Sequence, residues 1–505
     1  MTTLSQGLLF PYHHHNVSHP KLRPCAYFTT FSNPRIFRQL KSSKMVPPSR
    51  PRCQSIQRSM RPSAILETMD QTVTIHSTSL VLPIEETERK SVFLSNIDKS
   101  LNFKASTIYF FSSNPNFSIE NIVAKLENAY RKVLVQYDFL AGRLRWNSEQ
   151  GRIEIDCNAA GAGFVVASCG LSFEELGGIG SLNIETQQFA LRKWNASPED
   201  QPLFVMQVTS FRCGGFALGF ALNHVTMDGI CSKIFLENLA SLLSGNDLVL
   251  PPYNDRRLLA ARSPPRIAFP HTEMFNFESL QGNKSSKMLL KATFQKLNSQ
   301  YFRLSLDDIN NLKRKASEVG GDNIAHTSGF SAVTAHIWQC VAQAKNPEND
   351  LEKSSTILYA VNIRSRVRPR LPSSYAGNAI VSAYATTTCS EMKKRPFSHL
   401  VQMVSEGDTR ITDEYVKSIL DWSELHKGFP YGDAIISSWW NMGLNEIDYP
   451  WGRPKWSCPV VPNHGNNAIT LIPEVEGKEF KGLHVLVSLP QLEMEKFQGL
   501  FYELL

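Results

Sequence analysis

The 505-residue sequence lacks several features that would assign it to a specialised class of protein. No stretch approaches ~18 consecutive apolar residues, so we do not expect a membrane-spanning helix. The nine cysteines are scattered without a C-x-x-C pair. That pattern argues against a zinc site or a disulfide scaffold and fits a reducing compartment. Glycine and proline number 28 each and 42% of the residues are apolar, which is the composition of a globular protein long enough for two domains or more.

Acidic residues are absent from residues 1–66, which contain ten Lys or Arg, thirteen Ser or Thr and eight Pro. The rest of the chain has 43 basic and 46 acidic residues, a net charge of −3, so a nucleic-acid partner is not expected. The basic segment is typical of a transit peptide, and equally of a disordered tail or of a start upstream of a natural one at Met69. We predict that residues 1–68 are a disordered, dispensable extension. The expected location is the cytoplasm, with the plastid as the alternative if the segment is a transit peptide.

Strands and helices alternate from residue 70 onward. Apolar spacing predicts a helix over residues 119–135 and, after two strands joined by a tight turn, a second helix over residues 230–243. Residues 152–157 and 163–167 are predicted to form a hairpin. A single long helix is predicted over residues 399–420.

This alternation predicts an α/β protein with two domains, each a mixed sheet flanked by helices. Residues 69–250 would form the N-terminal domain and residues 296–505 the C-terminal domain. Residues 251–295 are broken by proline and poor in periodicity, which is typical of a crossover between two halves.

The clearest candidate for chemistry is His224, in the run Ala221-Leu222-Asn223-His224-Val225-Thr226-Met227-Asp228-Gly229. An apolar strand delivers the histidine, and a helix begins about five residues later. Imidazole is well suited to general-base work near neutral pH. The alternative for His224 is a core histidine satisfied by backbone hydrogen bonds. Asp228 is most simply a helix N-cap or the partner of an arginine, and Gly229 allows backbone geometry that other residues avoid.

A second cluster lies downstream, with Ser437 and Trp439 two residues apart on one predicted strand. Both side chains would face the same way and could donate hydrogen bonds to an oxyanion. The following loop reads Asp448-Tyr449-Pro450-Trp451-Gly452-Arg453-Pro454, and its simplest interpretation is a structural loop with Trp451 as a core plug.

Taken together, these residues resemble the plant BAHD acyl-CoA-dependent acyltransferases. The family pattern HxxxDG appears as residues 224–229, and the second signature, usually DFGWG, appears as residues 448–452. Lesser marks also match in the family's order: Leu94-Ser95-Asn96-Ile97-Asp98, Leu140-Ala141-Gly142-Arg143-Leu144, and Val361-Asn362-Ile363-Arg364-Ser365-Arg366 followed by Gly377-Asn378.

The resemblance implies two chloramphenicol-acetyltransferase-like domains with a channel at their interface and His224 midway along it. His224 would be the general base, and Asp228 would point away from the channel and pair with Arg364. Asp448, Trp451 and Gly452 would support the structure away from the histidine. Acyl-CoA would be a co-substrate, with no permanently bound cofactor and no metal, and the chain would act as a monomer.

The sequence departs from the family at two places. Tyr449-Pro450 replaces the usual Phe-Gly, and proline fixes φ and removes an N–H. Residues 411–452 contain no arginine, whereas the shikimate-accepting branch uses one there to hold a carboxylate. A shikimate or quinate acceptor is therefore disfavoured, although Lys427 is an imperfect substitute.

The resemblance implies transfer of an acyl group from a coenzyme A thioester to a hydroxyl or amine of a plant metabolite. The donor would be hydroxycinnamoyl, another aromatic acyl group or fatty acyl. Thioesters are already activated, so no protein nucleophile is required, and no Gly-x-Ser-x-Gly elbow is present. The alternative is a catalytically silent family member that acts as a binding or accessory protein. A hydrolase is disfavoured because no nucleophile–base pair is visible.

Overall fold

The computed structural model describes residues 73–177, 186–280, 296–317, 328–346, 348–460, 468–476 and 479–505. The prediction that residues 1–68 are disordered lies outside these residues. Among the helices of the described ranges, none combines the length and the apolar content needed to cross a membrane.

The helices and strands follow one another in both halves of the chain. The helices are α1 (Asn96–Ser100), α2 (Ile119–Gln136), α3 (Gly229–Leu243), α4 (Leu306–Ser317), α5 (Gly329–Ala344), α6 (Cys389–Lys394), α7 (Phe397–Thr409), α8 (Asp413–Leu425) and α9 (Gln491–Glu503). The strands are β1 (Val73–Val81), β2 (Ser91–Phe93), β3 (Lys104–Phe111), β4 (Arg143–Asn147), β5 (Arg152–Asp156), β6 (Ala162–Cys169), β7 (Phe204–Phe211), β8 (Phe216–Asn223), β9 (Met274–Asn276), β10 (Asn298–Ser305), β11 (Ser354–Asn362), β12 (Ile380–Thr388), β13 (Gly428–Pro430), β14 (Ala434–Ser438), β15 (Trp456–Pro459), β16 (Ala468–Glu476) and β17 (Glu479–Leu489).

The first sheet has the strand order β1-β6-β7-β8-β3-β15, and it is mixed because β6 and β7 run parallel. Its apolar residues on one face pack against α2 and α3. The predicted hairpin of residues 152–157 with 163–167 is wrong. β5 belongs to a separate three-stranded sheet with β2 and β4, whereas β6 pairs with β1 and β7. The chain turns between β5 and β6 at Ala159 and Gly161, which have φ angles of 49° and 97°.

The second sheet has the order β10-β17-β16-β14-β11-β12, with β14 parallel to both β11 and β16. It packs against α4, α5, α7 and α9 around a second core. The single helix predicted over residues 399–420 is wrong, because α7 ends at Thr409 and α8 begins at Asp413. Thr412 caps α8 by accepting a hydrogen bond from the Tyr415 N–H at 3.3 Å. The prediction of an α/β fold with two mixed sheets flanked by helices is confirmed.

Strand β15 joins the two halves, because it follows β14 in the chain but pairs with β3 at the edge of the first sheet. Its Trp456 stacks on Phe110 of β3 with ring centroids 3.8 Å apart. Trp456 also packs against Ile472 and Leu486 of the second sheet. Elsewhere the face of β3 that carries Phe110 is covered by the first half itself, since Phe173 and Phe189 pack on Phe110 with ring centroids 6.1 and 5.8 Å away.

Candidate active site

His224 lies where strand β8 ends and the connection to α3 begins. Its backbone N–H donates to the carbonyl of Phe103 at 2.8 Å, and the Phe103 ring lies 5.2 Å from the imidazole, centroid to centroid. Asn223 shapes the turn, because its Oδ1 accepts the Val225 N–H at 3.1 Å. The backbone of the histidine is thus fixed from both sides, while its side chain is only half-buried.

Asn378, from the second half of the chain, holds the imidazole. Its Nδ2 donates to the His224 carbonyl and to Asp98 Oδ1, both at 2.8 Å. This amide orientation turns Oδ1 of Asn378 toward His224 Nδ1, 3.0 Å away. Since an amide oxygen only accepts, Nδ1 must carry the proton. The lone pair of the ring then resides on Nε2, which is the form that a general base requires.

The surroundings of His224 keep the imidazole neutral. Burial lowers the pKa of His224 below its ordinary value, against smaller opposing effects that include Asp228 and Asn378. A desolvated cation is costly, so the neutral form is favoured. At neutral pH the ring is therefore ready to accept a proton.

Asp228 combines the two structural roles expected for it. Its Oδ1 caps α3 by accepting the Cys231 N–H at 2.9 Å. The same carboxylate forms the predicted ion pair with Arg364, whose two terminal nitrogens lie 2.8 and 2.9 Å from its oxygens. The Ala379 N–H donates to Oδ2 at 2.9 Å. The carboxylate is buried and fully used, so it supports the site rather than acting as a base.

A second buried ion pair, which no local sequence pattern indicates, lies close to the backbone that follows the histidine. Arg256 Nη1 lies 3.3 Å from Asp98 Oδ1, and both side chains are fully buried. The guanidinium also donates to the carbonyls of Val225 and Thr226, at 2.6 and 2.7 Å. It therefore fixes the backbone that follows His224. Residues 94–98 and 377–378 match family motifs, but no local sequence pattern indicates a role for Asp98 or Asn378.

The loop of residues 448–452 plugs the core of the first half. Tyr449 and Trp451 are buried in that core, with their rings stacked 5.8 Å apart. Gly452 has a φ of 113°, a region that favours glycine, and its N–H donates to the Tyr449 carbonyl at 2.9 Å. Asp448 forms an exposed bidentate pair with Arg453 at 2.6 and 2.9 Å. The loop therefore packs as part of the core, and Pro450 fits within it.

Ser437 and Trp439 lie near the end of β14. Ser437 pairs with Thr470 of β16, and Ile472 lies two residues further along that strand. Ser437 therefore faces the same side of the second sheet as Ile472, toward the first sheet. The strand ends at Ser438, one residue before Trp439, and Trp439 packs against the first core. Their role as oxyanion donors stays a prediction.

Known proteins resemble this chain over most of its length. Residues 71–504 match the model of the Transferase family. The curated relatives include Acyltransferase GLAUCE of Arabidopsis thaliana, 48% identical over 88% of this chain and 98% of that protein. A second is the fatty alcohol:caffeoyl-CoA acyltransferase of the same plant, 32% identical over 83% of this chain and 96% of that protein.

The chain belongs to the BAHD acyltransferase family. The predicted enzyme class, an acyl-CoA-dependent acyltransferase, is confirmed. Two solved structures show the fold: vinorine synthase (TM-score 0.66, 22% identity, 84% of this chain and 96% of that one) and TRI101 of F. sporotrichioides complexed with coenzyme A and T-2. The second has a TM-score of 0.69 at 15% identity and covers 81% of this chain and 97% of that chain.

In this BAHD chain the glycine of HxxxDG, Gly229, provides space for a neighbouring side chain and not an unusual backbone conformation. Gly229 does not adopt a positive φ, so the prediction of unusual backbone geometry is wrong. A Cβ at this position would instead lie 2.6 Å from Cε of Met442. The glycine leaves room for the side chain of Met442, which follows β14 in the chain. A larger residue at position 229 would require Met442 to move.

A Ser–His–Glu arrangement exists in the structure, but its position does not suit a nucleophile. His271 Nε2 lies 2.8 Å from Ser418 Oγ, and Nδ1 lies 3.2 Å from Glu273 Oε1. All three side chains are buried, and Ser418 Oγ accepts the N–H groups of Ala268 and Phe269 at 2.8 and 3.2 Å. The arrangement attaches the crossover to α8. Across the described ranges, no group of His, Cys, Asp and Glu is placed to hold a metal ion.

Proposed function

We propose that this BAHD chain transfers an acyl group from a coenzyme A thioester to a hydroxyl or amine of a small metabolite, with His224 Nε2 as general base. The observation that carries the proposal is the Asn378 contact, because an amide oxygen facing Nδ1 leaves Nε2 free to accept a proton. Burial of His224 favours the neutral ring that this step requires.

The proposed reaction proceeds in two proton-balanced steps. His224 Nε2 takes the proton of the acceptor O–H or N–H while that oxygen or nitrogen bonds to the thioester carbonyl carbon. The carbonyl oxygen becomes an oxyanion. Its collapse breaks the C–S bond, and the imidazolium returns its proton to the leaving thiolate, giving the free thiol and the ester or amide.

An oxyanion needs donors close to the reacting carbon, and Ser437 is our candidate for one of them. Its position on the side of the second sheet that faces the first sheet supports this role. Trp439 is the second candidate through its indole N–H. Ser437 lies within β14 and Trp439 directly after it, contrary to the expectation that one strand carries both. A donor held on a rigid strand, as Ser437 is, needs no reorganisation when the charge develops.

The names of relatives support an aromatic donor. One relative is named for caffeoyl-CoA and a fatty alcohol, and another is an omega-hydroxypalmitate O-feruloyl transferase. A third is a shikimate O-hydroxycinnamoyltransferase at 29% identity. We therefore propose hydroxycinnamoyl thioesters as the first donors to assay, with other aromatic and fatty acyl thioesters next.

The test is a screen of acyl-CoA donors against alcohols and amines, read by release of free thiol. With an active pair, His224→Ala should lower kcat by roughly 10²–10⁴-fold, the usual contribution of a general base. His76→Ala is the matched control, because His76 is exposed on β1, and its turnover should equal that of the unmodified protein. Near-normal turnover of a folded His224→Ala protein would contradict the proposal.

A further inference from the structure

Asp98 uses its two carboxylate oxygens for different purposes. Oδ2 completes the capping box of α1, where it accepts the backbone N–H and the hydroxyl of Ser95 at 2.9 and 2.8 Å. Oδ1 accepts the backbone N–H and the Nδ2–H of Asn378 at 3.0 and 2.8 Å. Asn378 is the residue whose own Oδ1 faces Nδ1 of His224. Helix capping requires only Oδ2, so it does not explain the connection that Oδ1 makes to the candidate base.

A second capping box of the same spacing shows what this motif requires by itself. Ser305 and Asp308 lie at the start of α4, and Asp308 Oδ2 accepts the N–H and the hydroxyl of Ser305 at 2.8 and 2.6 Å. The Asp308 side chain is only half-buried, whereas Asp98 is fully buried. Burying a carboxylate costs free energy that a helix cap does not require. The complete burial of Asp98 therefore indicates a role beyond the cap.

The donors around Asp98 determine which end of the Asn378 amide faces which neighbour. Two hydrogens of Asn378 and two of Ser95 converge on the carboxylate, and Arg256 Nη1 lies 3.3 Å from Oδ1. Each oxygen already faces at least two hydrogens, so the group cannot carry a proton of its own and only accepts. The NH2 end of Asn378 must therefore face Asp98. Its amide oxygen is left to face Nδ1 of His224, which then carries the ring proton.

We propose that Asp98 is a positioning residue for acyl transfer, which acts through Asn378 to select the tautomer of His224 with its lone pair on Nε2. The inference rests on the proposed function, in which Nε2 is the general base. Two acceptors hold the Nδ2 group of Asn378: the charged Asp98 and the neutral carbonyl of His224, both at 2.8 Å. Hydrogen bonds to ionised groups are roughly twice as strong as neutral ones, so Asp98 contributes the larger part of the preference.

The ion pair with Arg256 does not account for this geometry by itself. Arg256 donates to the carbonyls of Val225 and Thr226 at 2.6 and 2.7 Å, and its charge balances that of Asp98. An ion pair needs no contact between Asp98 and Asn378, yet two hydrogens of Asn378 point at the same carboxylate oxygen. Arg256 thus holds the carboxylate in place, and the carboxylate orients the amide.

The test reads the tautomer directly, with Asp98→Asn as the variant. Asparagine has nearly the same shape as aspartate but an NH2 group in place of one oxygen, so it removes the charge and permits either orientation of the Asn378 amide. Asp308→Asn is the matched control, because it makes the same change in the other capping box. Nitrogen-15 NMR of the histidine rings is recorded at mildly alkaline pH, where the ring of His224 is neutral. A His224→Ala spectrum identifies the signals of His224.

In the unmodified chain we expect the ring proton of His224 on Nδ1. In Asp98→Asn we expect the Nε2–H tautomer to appear and kcat to fall by about tenfold, as one charge-assisted contact is replaced by a neutral one. Asp308→Asn should change neither. A folded Asp98→Asn protein whose His224 stays entirely in the Nδ1–H form would overturn the inference, and so would an Nε2–H ring in the unmodified chain.

The unpaired cation in Asp98→Asn could prevent folding. In that case the same comparison is made between Arg256→Gln and the double variant Arg256→Gln with Asp98→Asn, which lacks the cation. The same two results decide the inference there. The tautomer is read without substrate, so normal turnover of His224→Ala would contradict the proposed function and leave the dependence of the tautomer on Asp98 standing. A tautomer that ignores Asp98 would overturn this inference and leave His224 as the proposed base.

Discussion

Removing the amide of Asn378 should impair the base without removing it. In Asn378→Ala, Nδ1 of His224 loses the acceptor at 3.0 Å that fixes its tautomer and its orientation. A neutral hydrogen bond of this kind contributes about 0.5–1.5 kcal/mol net, which corresponds to roughly a 2–13-fold change in the population of the productive form. Asp98 also loses the Nδ2–H donor at 2.8 Å, so the supporting network loosens as well. We therefore expect kcat to fall by about tenfold.

The pH profile distinguishes this positioning role from a general loss of stability. The Asn378 contact raises the pKa of His224, opposing the burial that lowers it. Removing the contact should therefore lower the pKa further. Because the neutral ring is the active form, the acidic limb of the kcat/KM profile should move to lower pH in Asn378→Ala. A variant that was merely less stable would lose activity without moving this limb.

The assay is kcat/KM for one active donor–acceptor pair across the pH range, with circular dichroism to verify folding. Asn121→Ala is a matched control, since Asn121 is an exposed residue of α2 that touches the Ser118 cap only through its backbone. It should show neither the loss in kcat nor the shift of the limb. A folded Asn378→Ala protein with unchanged kcat and an unchanged acidic limb would refute the reasoning that Asn378 orients the base.

Four further predictions concern stability, activity and location. Asp228→Asn keeps a capping side chain but leaves Arg364 as a buried cation without its carboxylate partner. The free energy of unfolding, measured with denaturant, should therefore fall by about 3–5 kcal/mol. An unchanged unfolding midpoint would contradict this prediction. Tyr449→Phe removes a buried hydroxyl that has no hydrogen-bond partner in the described structure, so Tm should rise slightly, and a fall in Tm would show that the hydroxyl is satisfied. A chain starting at Met69 should keep full activity. Residues 1–68 fused to a fluorescent reporter should leave it in the cytosol, whereas plastid accumulation would establish a transit peptide.

Local sequence signals are sufficient to predict the elements that position His224, the proposed base. The apolar strand, the capping aspartate and the helix after it are each encoded within a few residues, and the structure places them as predicted for β8 and α3. Strand pairing is not local, and for that reason the predicted hairpin of residues 152–157 and 163–167 failed. The break between α7 and α8 did leave a local signal. Thr412 followed by Asp413 and Glu414 is a typical helix start, and it outweighs continuous apolar spacing.

The contacts that tune His224 could not be derived from spacing. Asp228 and Arg364 are 136 positions apart, and their pairing was expected only from the family resemblance. Asn378 and Asp98 are separated by 280 positions, and no local pattern links them. Asp98 completes a capping box with Ser95 at the start of α1, so nothing in its surroundings in the sequence indicates a distant partner. Such long-range partners are identified from the folded structure or from comparison with relatives, and not from a local sequence pattern.

The site depends on both halves of the chain, because the second half supplies two of the residues that hold His224 and Asp228 in place. Asn378 and Arg364 come from the second half and attach to the His224 carbonyl and to Asp228 of the first half. Arg256, from the crossover, joins Asp98 to the carbonyls that follow the histidine. A buried charge that loses its partner is strongly destabilising, so separating the halves would break the Asp228–Arg364 pair at high cost. The HxxxDG sequence is therefore only the local part of the proposed base, because the contact that fixes the tautomer of His224 comes from a residue 154 positions away.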